Sequence, residues 1–465
     1  MKYTIRKITR EANFLSLTGN FTVAFFGFAG FALLARSYSM DIFGQWVLYV
    51  SSATFIEMFR FGITNWAIIR YLSGVDDEDR LKYIGSNALI VILSTVTIAV
   101  IIWGSYLLFP GPIRSSGYEL FFRWYPILAF INISYNNALV IMQADQRFGR
   151  IMMIKTINSI GFFIVLLTNF LFFRMSLTHL VWANLGINVI TSGICFSMGW
   201  DGMRHIRKAT KKTSKVLLDF GKYTIFTLIG TNLLRSADTL IISLSPLGTT
   251  AVALYSVPMK LAELQQIPLR SFVATAFPRM SKASIHGKVD EVRRLFYTYS
   301  GAMTYLLCAI SIFTFCFAHL FVLLLGGKQY LGIDPVTGSN TVTIVRIFSI
   351  YGLFLPIDRM AGAGLDSINK PERNFLKVMY MLGANVIGDL IAVFVFHSLE
   401  AVAVASILFT LLGIVVGYRF LDKELELDQR RIWSAGIGFY REMYVRLQEY
   451  YSKLIRKIRP DGGIS

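Results

Sequence analysis

The chain has 465 residues and a formal net charge of +18, yet only 16% of its residues are charged and 54% are hydrophobic. Soluble domains carry roughly 25% charged residues, so this composition excludes an ordinary water-soluble protein. A basic chain could bind nucleic acid, but one this apolar faces lipid, and we expect no nucleic-acid partner. The three cysteines form neither a CxxC pair nor an even framework, which excludes a disulfide scaffold or a zinc site.

Apolar stretches that are long enough to cross a bilayer recur along the whole chain. A spanning helix needs ~20 apolar residues, because lipid offers no partner to an unpaired backbone group. We therefore predict an all-α polytopic membrane protein with about twelve transmembrane helices, at roughly 14–36, 42–72, 83–109, 119–142, 151–173, 177–200, 219–246, 249–278, 297–325, 341–362, 377–397 and 400–421. The long second stretch contains Gly62, and the eighth contains Pro258 and Pro268, which predicts helices that tilt or bend.

The Lys and Arg residues sort to one side of the predicted membrane. The basic N-terminal segment, residues 1–14, precedes no short apolar region with a cleavage site, so we interpret it as a retained cytoplasmic end. With this end inside, most of the 46 basic residues fall on cytoplasmic segments; the opposite side holds only Arg36, Arg114, Arg123, Arg174 and Lys328. The positive-inside rule then places both termini in the cytoplasm.

The longest basic segment between helices divides the chain into two halves of six spans. We predict an N-terminal lobe at 1–200, a cytoplasmic linker at 201–217, a C-terminal lobe at 218–421 and a cytoplasmic tail at 422–465. A weak internal repeat supports this division, because Trp46 precedes Arg70 by the same spacing as Tyr255 precedes Arg279. Such halves are a common plan of transporters.

Charged residues inside the predicted spans are the best indication of function. They cost ~2.5–3.5 kcal/mol each on insertion scales and usually face a cavity or a partner. Basic residues outnumber acidic ones in this set, which predicts a water-filled cationic cavity for an anionic substrate such as a phosphate or diphosphate. Local pairing is the alternative for Glu57 with Arg60, for Arg235 with Asp238 and for Lys260 with Glu263. It is weaker for Arg270, which has no acid within one turn.

A second group of polar residues in the predicted spans has the oxygen atoms needed to bind a small cation. Asn385 and Asp389 are four residues apart and share one helix face, and with Asp238 they could supply oxygen ligands. A helix-packing asparagine and a charge-paired aspartate would produce the same pattern. No catalytic motif and no loop large enough for a catalytic domain is present, so we expect a transporter and not an enzyme.

The tail carries an apolar stripe with helical spacing and basic residues beside it. The stripe comprises Trp433, Ile437, Tyr440, Tyr444, Leu447, Tyr451, Leu454 and Ile458. This pattern predicts a basic amphipathic helix on the inner leaflet. A coiled-coil seam has the same spacing and is the alternative.

Two stretches resemble a known family. Residues 32–49 resemble the first loop of polysaccharide flippases, where an arginine (Arg36) ends helix one and Phe43-Gly44 opens helix two. Residues 238–281 resemble the matching segment of the second half, which the family marks by Asp238, Gly248, Tyr255, Pro268, Pro278 and Ser281. Over residues 1–421 the chain is similar to the multidrug/oligosaccharidyl-lipid/polysaccharide exporter superfamily, and in particular to its O-antigen (Wzx-type) flippases.

The resemblance implies a flippase of the bacterial inner membrane. It would move an undecaprenyl-diphosphate-linked oligosaccharide, an O-antigen or other surface polysaccharide repeat unit, from the inner to the outer leaflet by alternating access. The cavity cations carry over onto Arg36, Arg60, Arg235, Lys260 and Arg270. Membrane lipids and other polysaccharide-assembly proteins are the implied partners.

The resemblance also implies an ion site. Related lipid II flippases hold sodium with residues that match Asp238, Asn385 and Asp389, although Ala405 and Ser406 stand near the position of their threonine. We expect no cofactor, and coupling to Na⁺ or H⁺. The alternatives are a cation-coupled multidrug exporter of the same superfamily, whose cavity tends to be acidic or apolar, and a polymerase or ligase of the glycan pathway, which needs a large periplasmic loop.

Overall fold

A computed structural model describes residues 12–62, 64–72 and 77–458 of the chain. Within that part the regular structure is helical, apart from one isolated β-bridge between Ile333 and Asn340. The α-helices are α1 (Ala12–Ser37), α2 (Met40–Gly62), α3 (Asn65–Leu72), α4 (Asp77–Leu108), α5 (Pro110–Ser115), α6 (Glu119–Ala144), α7 (Phe148–Thr168), α8 (Leu177–Ser197), α9 (Lys211–Ser243), α10 (Gly248–Ile285), α11 (Val289–Cys316), α12 (Ala318–Gly326), α13 (Thr341–Ser367), α14 (Pro371–Phe394), α15 (Leu399–Leu425) and α16 (Gln429–Ile458). The predicted all-α fold class is confirmed.

Each predicted span coincides with one helix or with two consecutive helices. Among the described residues, eight helices are long and apolar enough to cross a membrane: Asp79–Leu108, Glu119–Ala144, Phe148–Phe173, Leu177–Ser197, Val289–Cys316, Thr341–Ser367, Pro371–Phe394 and Leu399–Leu425. A shorter apolar helix covers Phe21–Ser37. The polytopic membrane character is therefore confirmed, and the count of twelve spans stays a prediction.

The second predicted span is broken where its glycine lies. α2 ends at Gly62 and α3 begins at Asn65, so the stretch predicted as one tilted or bent helix consists of two helices. Glycine favours such a break because it loses more conformational entropy in a helix than any other residue. α10 instead continues through Pro258, Pro268 and Pro278, although each proline removes one backbone donor.

The basic linker packs closely onto α4. It forms a 3₁₀ turn, Met203–Lys208, and Thr210 then caps α9 by accepting a hydrogen bond from the backbone of Thr213. The hydroxyls of Ser86 and Thr213 lie 2.6 Å apart. A Cβ atom added at Gly85 would collide with the carbonyl oxygen of His205, so α4 and the linker are in backbone contact.

Packing divides the chain into two compact units. Unit 1 comprises Met1–Val257, Val322–Thr341 and Asp389–Leu399, and unit 2 comprises Pro258–Phe321, Val342–Gly388 and Glu400–Ser465. The division into lobes 1–200 and 218–421 stays a prediction. The outer ends of the predicted cytoplasmic termini, residues 1–11 and 459–465, lie outside the described residues.

Unit 2 contains the first part of the tail helix. Ile432 of α16 joins a buried cluster with Phe296, Met360 and Leu421. The Tyr440 hydroxyl donates to the carbonyl oxygen of Ala302 on α11 at 2.8 Å. Burial raises the pKa of this phenol, so the donating hydroxyl stays protonated to a higher pH than that of an exposed tyrosine. α16 is thus anchored to the body of unit 2.

Candidate functional site

The guanidinium of Arg60 is a fully enclosed charge in the described part of unit 1. The side chain has 0% exposure and lies at the end of α2. Its Nη2 lies 2.7 Å from Glu57 Oε2, one turn earlier on the same helix. Its Nη1 donates to Thr95 Oγ1 of α4 at 3.0 Å and to the carbonyl oxygen of Ala129 on α6. One cation therefore joins three helices.

Glu57 accepts further hydrogen bonds from α6. The Tyr125 hydroxyl donates to its Oε1 at 3.0 Å and the Asn136 amide donates to its Oε2 at 3.1 Å. The Arg60 guanidinium also lies 4.4 Å from the centre of the Phe61 ring, a cation–π distance. The predicted local pairing of Glu57 with Arg60 is therefore confirmed as a contact. Its further partners on α4 and α6 are remote in sequence, and the i,i+3 spacing does not predict them.

Arg36 lies at a second polar junction of unit 1, at the end of α1. Its Nη2 donates to the carbonyl oxygens of Leu323 and Leu324 at 2.8 and 2.5 Å, in the last turn of α12. A second contact runs in the opposite direction: the Gln329 amide, just after α12, donates to the carbonyl oxygens of Ala35 and Tyr38 at the end of α1. Each side chain thus donates to carbonyl oxygens at the end of a helix, where most carbonyls lack intrahelical donors. The Leu323 carbonyl also accepts from the Gly327 backbone at 3.1 Å.

The beginning of α2 meets the beginning of α10 beside this junction. The Thr249 hydroxyl donates to the Asp41 carboxylate. A Cβ atom added at Gly44 would collide with the carbonyl oxygen of Thr249, and one added at Gly117 would collide with its methyl group. We name the residues Arg36, Asp41, Gly44, Thr249 and Gln329, with Leu323 and Leu324, the latch cluster. All of its contacts lie within unit 1.

The other predicted cavity cations are placed differently. In unit 2, Lys260 Nζ lies 2.9 Å from Glu263 Oε2, and both side chains are about one-third exposed, at 30% and 34%. Arg270, ten residues further along α10, is exposed. Arg235 belongs to α9 of unit 1, and its side chain lies outside the described residues. A role of any of these cations in substrate binding stays a prediction.

The three residues of the predicted sodium site are all buried. Asp238 accepts a hydrogen bond from the Tyr255 hydroxyl at 2.7 Å. Asn385 and Asp389, both 0% exposed, lie one turn apart on α14. Among the described residues, no cluster of three or more His, Cys, Asp or Glu side chains is placed to hold a metal ion. A sodium site made of two carboxylates and one amide therefore stays a prediction.

One buried ion pair was missed from the sequence. Lys377 is the first residue of the eleventh predicted span, where charge sorting alone assigns it to the cytoplasmic end. It is only 3% exposed, and its Nζ lies 2.6 Å from Asp358 Oδ1 and 2.7 Å from the Asp358 carbonyl oxygen. A Cβ atom at Gly417 of α15 would lie 2.9 Å from Lys377 Cδ. The absence of side chains at this glycine leaves room for the lysine. The available signal was the intramembrane Asp358, which needs a partner.

Removing Arg60 tests whether its network stabilises unit 1. Arg60→Met should leave Glu57 partly buried without its cation and cost about 3 kcal/mol or more, as for a broken buried pair. Thermal unfolding of the purified protein should therefore begin at a clearly lower temperature, and Glu57→Gln in the same chain should restore part of the loss.

The matched control is Lys260→Met, which breaks a partly exposed pair of the same i,i+3 spacing. Such pairs contribute roughly 0–1 kcal/mol, so its unfolding temperature should change little. Equal losses for the two variants would contradict the structural role of Arg60.

Comparisons with known proteins agree with this all-helical architecture. The sequence profile of the polysaccharide biosynthesis protein family matches residues 12–284. No curated protein sequence matches the chain. The chain is similar to the structure of the lipid II flippase MurJ in an inward closed conformation, with a TM-score of 0.69 and 13% identity over 93% of this chain and 92% of that one.

Two transporters of the MOP superfamily have the same fold. An inward-facing multidrug resistance MATE family transporter superimposes with a TM-score of 0.69 and 14% identity, over 86% of this chain and 95% of its own. A transporter from Pyrococcus furiosus Vc1 (DSM3638) superimposes with a TM-score of 0.60 and 15% identity, over 90% of this chain and 95% of its own. These identities show a shared fold and nothing finer. Because the family profile covers more than half of its length, the chain belongs to the polysaccharide biosynthesis protein family.

Proposed function

We propose that the protein is a flippase that moves an undecaprenyl-diphosphate-linked oligosaccharide, such as an O-antigen repeat unit, from the inner to the outer leaflet of the bacterial inner membrane. The observation that carries this proposal is that a member of a polysaccharide biosynthesis family has the fold of a lipid II flippase. Both termini lie in the cytoplasm. The partners are membrane lipids and other polysaccharide-assembly proteins, and no cofactor takes part.

The diphosphate needs cations that water can reach. Lys260 is about one-third exposed and Arg270 is exposed, and both lie on α10 of unit 2. Arginine binds phosphate oxygens in a fork and lysine acts as a compact charge, so such a pair suits a diphosphate. Arg36, Arg60 and Arg235 complete the proposed cationic set. Arg60 reaches substrate only if its network to Glu57 and Ala129 opens.

Alternating access requires one face of the protein to close while the other is open. By the positive-inside topology, the ends of α1 and α12 and the start of α10 face away from the cytoplasm. The latch cluster joins these ends through side chains and through the close approach of Gly44 to Thr249. We interpret it as the closed outer gate, which must break for the glycan to leave.

Covalent locking tests the gate. In a chain without Cys195, Cys308 and Cys316, Asp41→Cys with Thr249→Cys should be joined by a short thiol-to-thiol reagent, because the native side chains are hydrogen-bonded. The joined protein should lose translocation of lipid-linked oligosaccharide in vesicles, and a reducible reagent should allow recovery on reduction. Each single-cysteine protein is the control. Transport at an unchanged rate after complete cross-linking would show that these contacts do not gate.

The proposal includes coupling of transport to an ion bound by three buried residues. Asp238, Asn385 and Asp389 would hold Na⁺, and the ion would drive transport only if it binds one conformation better than the other. Asp389→Asn removes one carboxylate charge with little change of shape and should abolish the sodium dependence of the transport rate in vesicles. Asp79→Asn, an exposed change, is the control. Retained sodium dependence in Asp389→Asn would remove this ion site, and proton coupling would be the remaining choice.

A cation-coupled multidrug exporter is the second candidate. The specific observation in its favour is that the MATE family transporter superimposes as well as the lipid II flippase does, with the same TM-score of 0.69. An organic cation, however, would be disfavoured by the exposed positive charge of Arg270 on α10, since Glu263 balances the charge of Lys260. The polysaccharide family match also favours the first candidate.

A deletion strain separates the two candidates. Loss of the protein should remove the surface glycan and leave lipid-linked repeat units on the cytoplasmic side, which glycan extraction and labelling from outside the cell measure. Complementation by the intact chain should restore the glycan. Normal surface glycan in the deletion strain, together with increased sensitivity to cationic drugs, would contradict the flippase and support the exporter.

A further inference from the structure

The described part of the tail helix α16 has one face packed on the protein. Ile432 is 3% exposed, and Gly436 is buried against Gly301 of α11, where added Cβ atoms on either glycine would meet backbone of the other helix. Phe439 packs against Phe272 with ring centres 6.1 Å apart. At about 100° per residue, these three positions lie within roughly 60° of one another around α16. They form the docked face.

A second apolar face of the same helix is open. Trp433, Ile437 and Tyr444 are 52%, 59% and 61% exposed. Their positions lie within roughly 40° of one another and about 110° from the docked face. We name these three residues the open stripe. Trp433 is the member of the open stripe nearest to the docked face, and its ring lies 6.0 Å from that of Tyr305 on α11.

Basic side chains border the open stripe on its far side. Arg430 and Arg441 are exposed and lie about 50° beyond the stripe, away from the docked face. Around the helix, the order is therefore protein contact, open apolar stripe and arginines. An interfacial helix presents its apolar face to acyl chains and its basic residues to anionic headgroups, and this order matches that requirement.

The position of the docked face favours lipid over other occupants. α11, on which α16 is docked, is one of the helices long and apolar enough to cross a membrane. When a helix packs against a membrane-spanning helix, the face beside its contact surface lies next to the lipid that surrounds the span. A second copy of α16 would bring like charges together, because Arg430 and Arg441 border the stripe. Such repulsion disfavours a dimer seam.

We propose that residues 429–445 form a binding surface for the anionic inner leaflet, with the open stripe inserted among acyl chains and Arg430 and Arg441 on lipid phosphates. The Gly301–Gly436 contact ties this surface to α11, so lipid charge acts directly on a helix of unit 2. This proposal does not depend on which substrate the protein transports.

Spin labels on the full chain in vesicles test the surface. In a protein without Cys195, Cys308 and Cys316, Ile437→Cys places a nitroxide on the open stripe. Gly438→Cys is the matched control, since a Cβ atom there meets open space and points about 120° from the stripe. Collision rates with oxygen, which concentrates in lipid, and with a nickel chelate, which stays in water, measure the surroundings of each label. Phosphatidylcholine vesicles with and without phosphatidylglycerol provide the membranes.

The label at Ile437→Cys should collide with oxygen several-fold more than with nickel, and the label at Gly438→Cys should show the reverse. Phosphatidylglycerol should increase the oxygen preference at Ile437→Cys, and Arg430→Gln with Arg441→Gln should remove that increase. Equal access of both labels to nickel would overturn the proposal. An immobilised Ile437→Cys label that is shielded from both reagents would also overturn it, in favour of a protein partner or a second copy.

Discussion

A guanidinium that water cannot reach must have its charge balanced by the protein, and Arg60 is in this situation. Both of its Nη atoms have partners, whereas its buried Nε has no hydrogen-bond partner among the described residues. Its partners come from the same helix, through Glu57, and from two others, through Thr95 and the Ala129 carbonyl. Moving α2 relative to α4 or α6 would keep the Glu57 pair but break the hydrogen bonds to Thr95 and Ala129. A buried donor left without its partner costs about 1–3 kcal/mol. The relative positions of these helices in unit 1 therefore depend on this contact. The buried Lys377–Asp358 pair makes the same demand on α13 and α14 in unit 2.

Glycine provides the complementary constraint, because it permits backbones to approach where a side chain would keep them apart. Membrane helices gain no hydrophobic stabilisation against lipid, so close van der Waals packing at small residues replaces it. Gly44 allows α2 to contact the Thr249 backbone, and Gly301 with Gly436 brings α16 against α11. These contacts differ in what surrounds them. The first lies beside the hydrogen bond between Thr249 and Asp41, and the second adjoins buried side chains such as Ile432.

Several features could be predicted from residue order. Continuous apolar stretches specify helices in lipid, and each predicted span is a helix or a pair of helices. The i,i+3 spacings indicated the contacts of Arg60 with Glu57 and of Lys260 with Glu263. Gly62 predicted a bend, and the structure has a break between two helices there. The site was less predictable. Arg36 is basic and near a helix end, but its contacts with Leu323 and Leu324 join residues far apart in the chain, and no local pattern encodes them.

The sequence by itself determined the class of protein. Transfer of a segment from water to lipid depends on the hydropathy and charge of its own residues, and these are known without the tertiary structure. The sequence determined most helix positions for the same reason. Only the tertiary structure decided which charges are used within the protein. Arg36 donates to carbonyl oxygens at the end of α12, Arg60 is enclosed, and Lys377 forms a buried pair with Asp358. Partner choice among charges depends on distances between segments that are remote in sequence, and those distances exist only once the helices have packed.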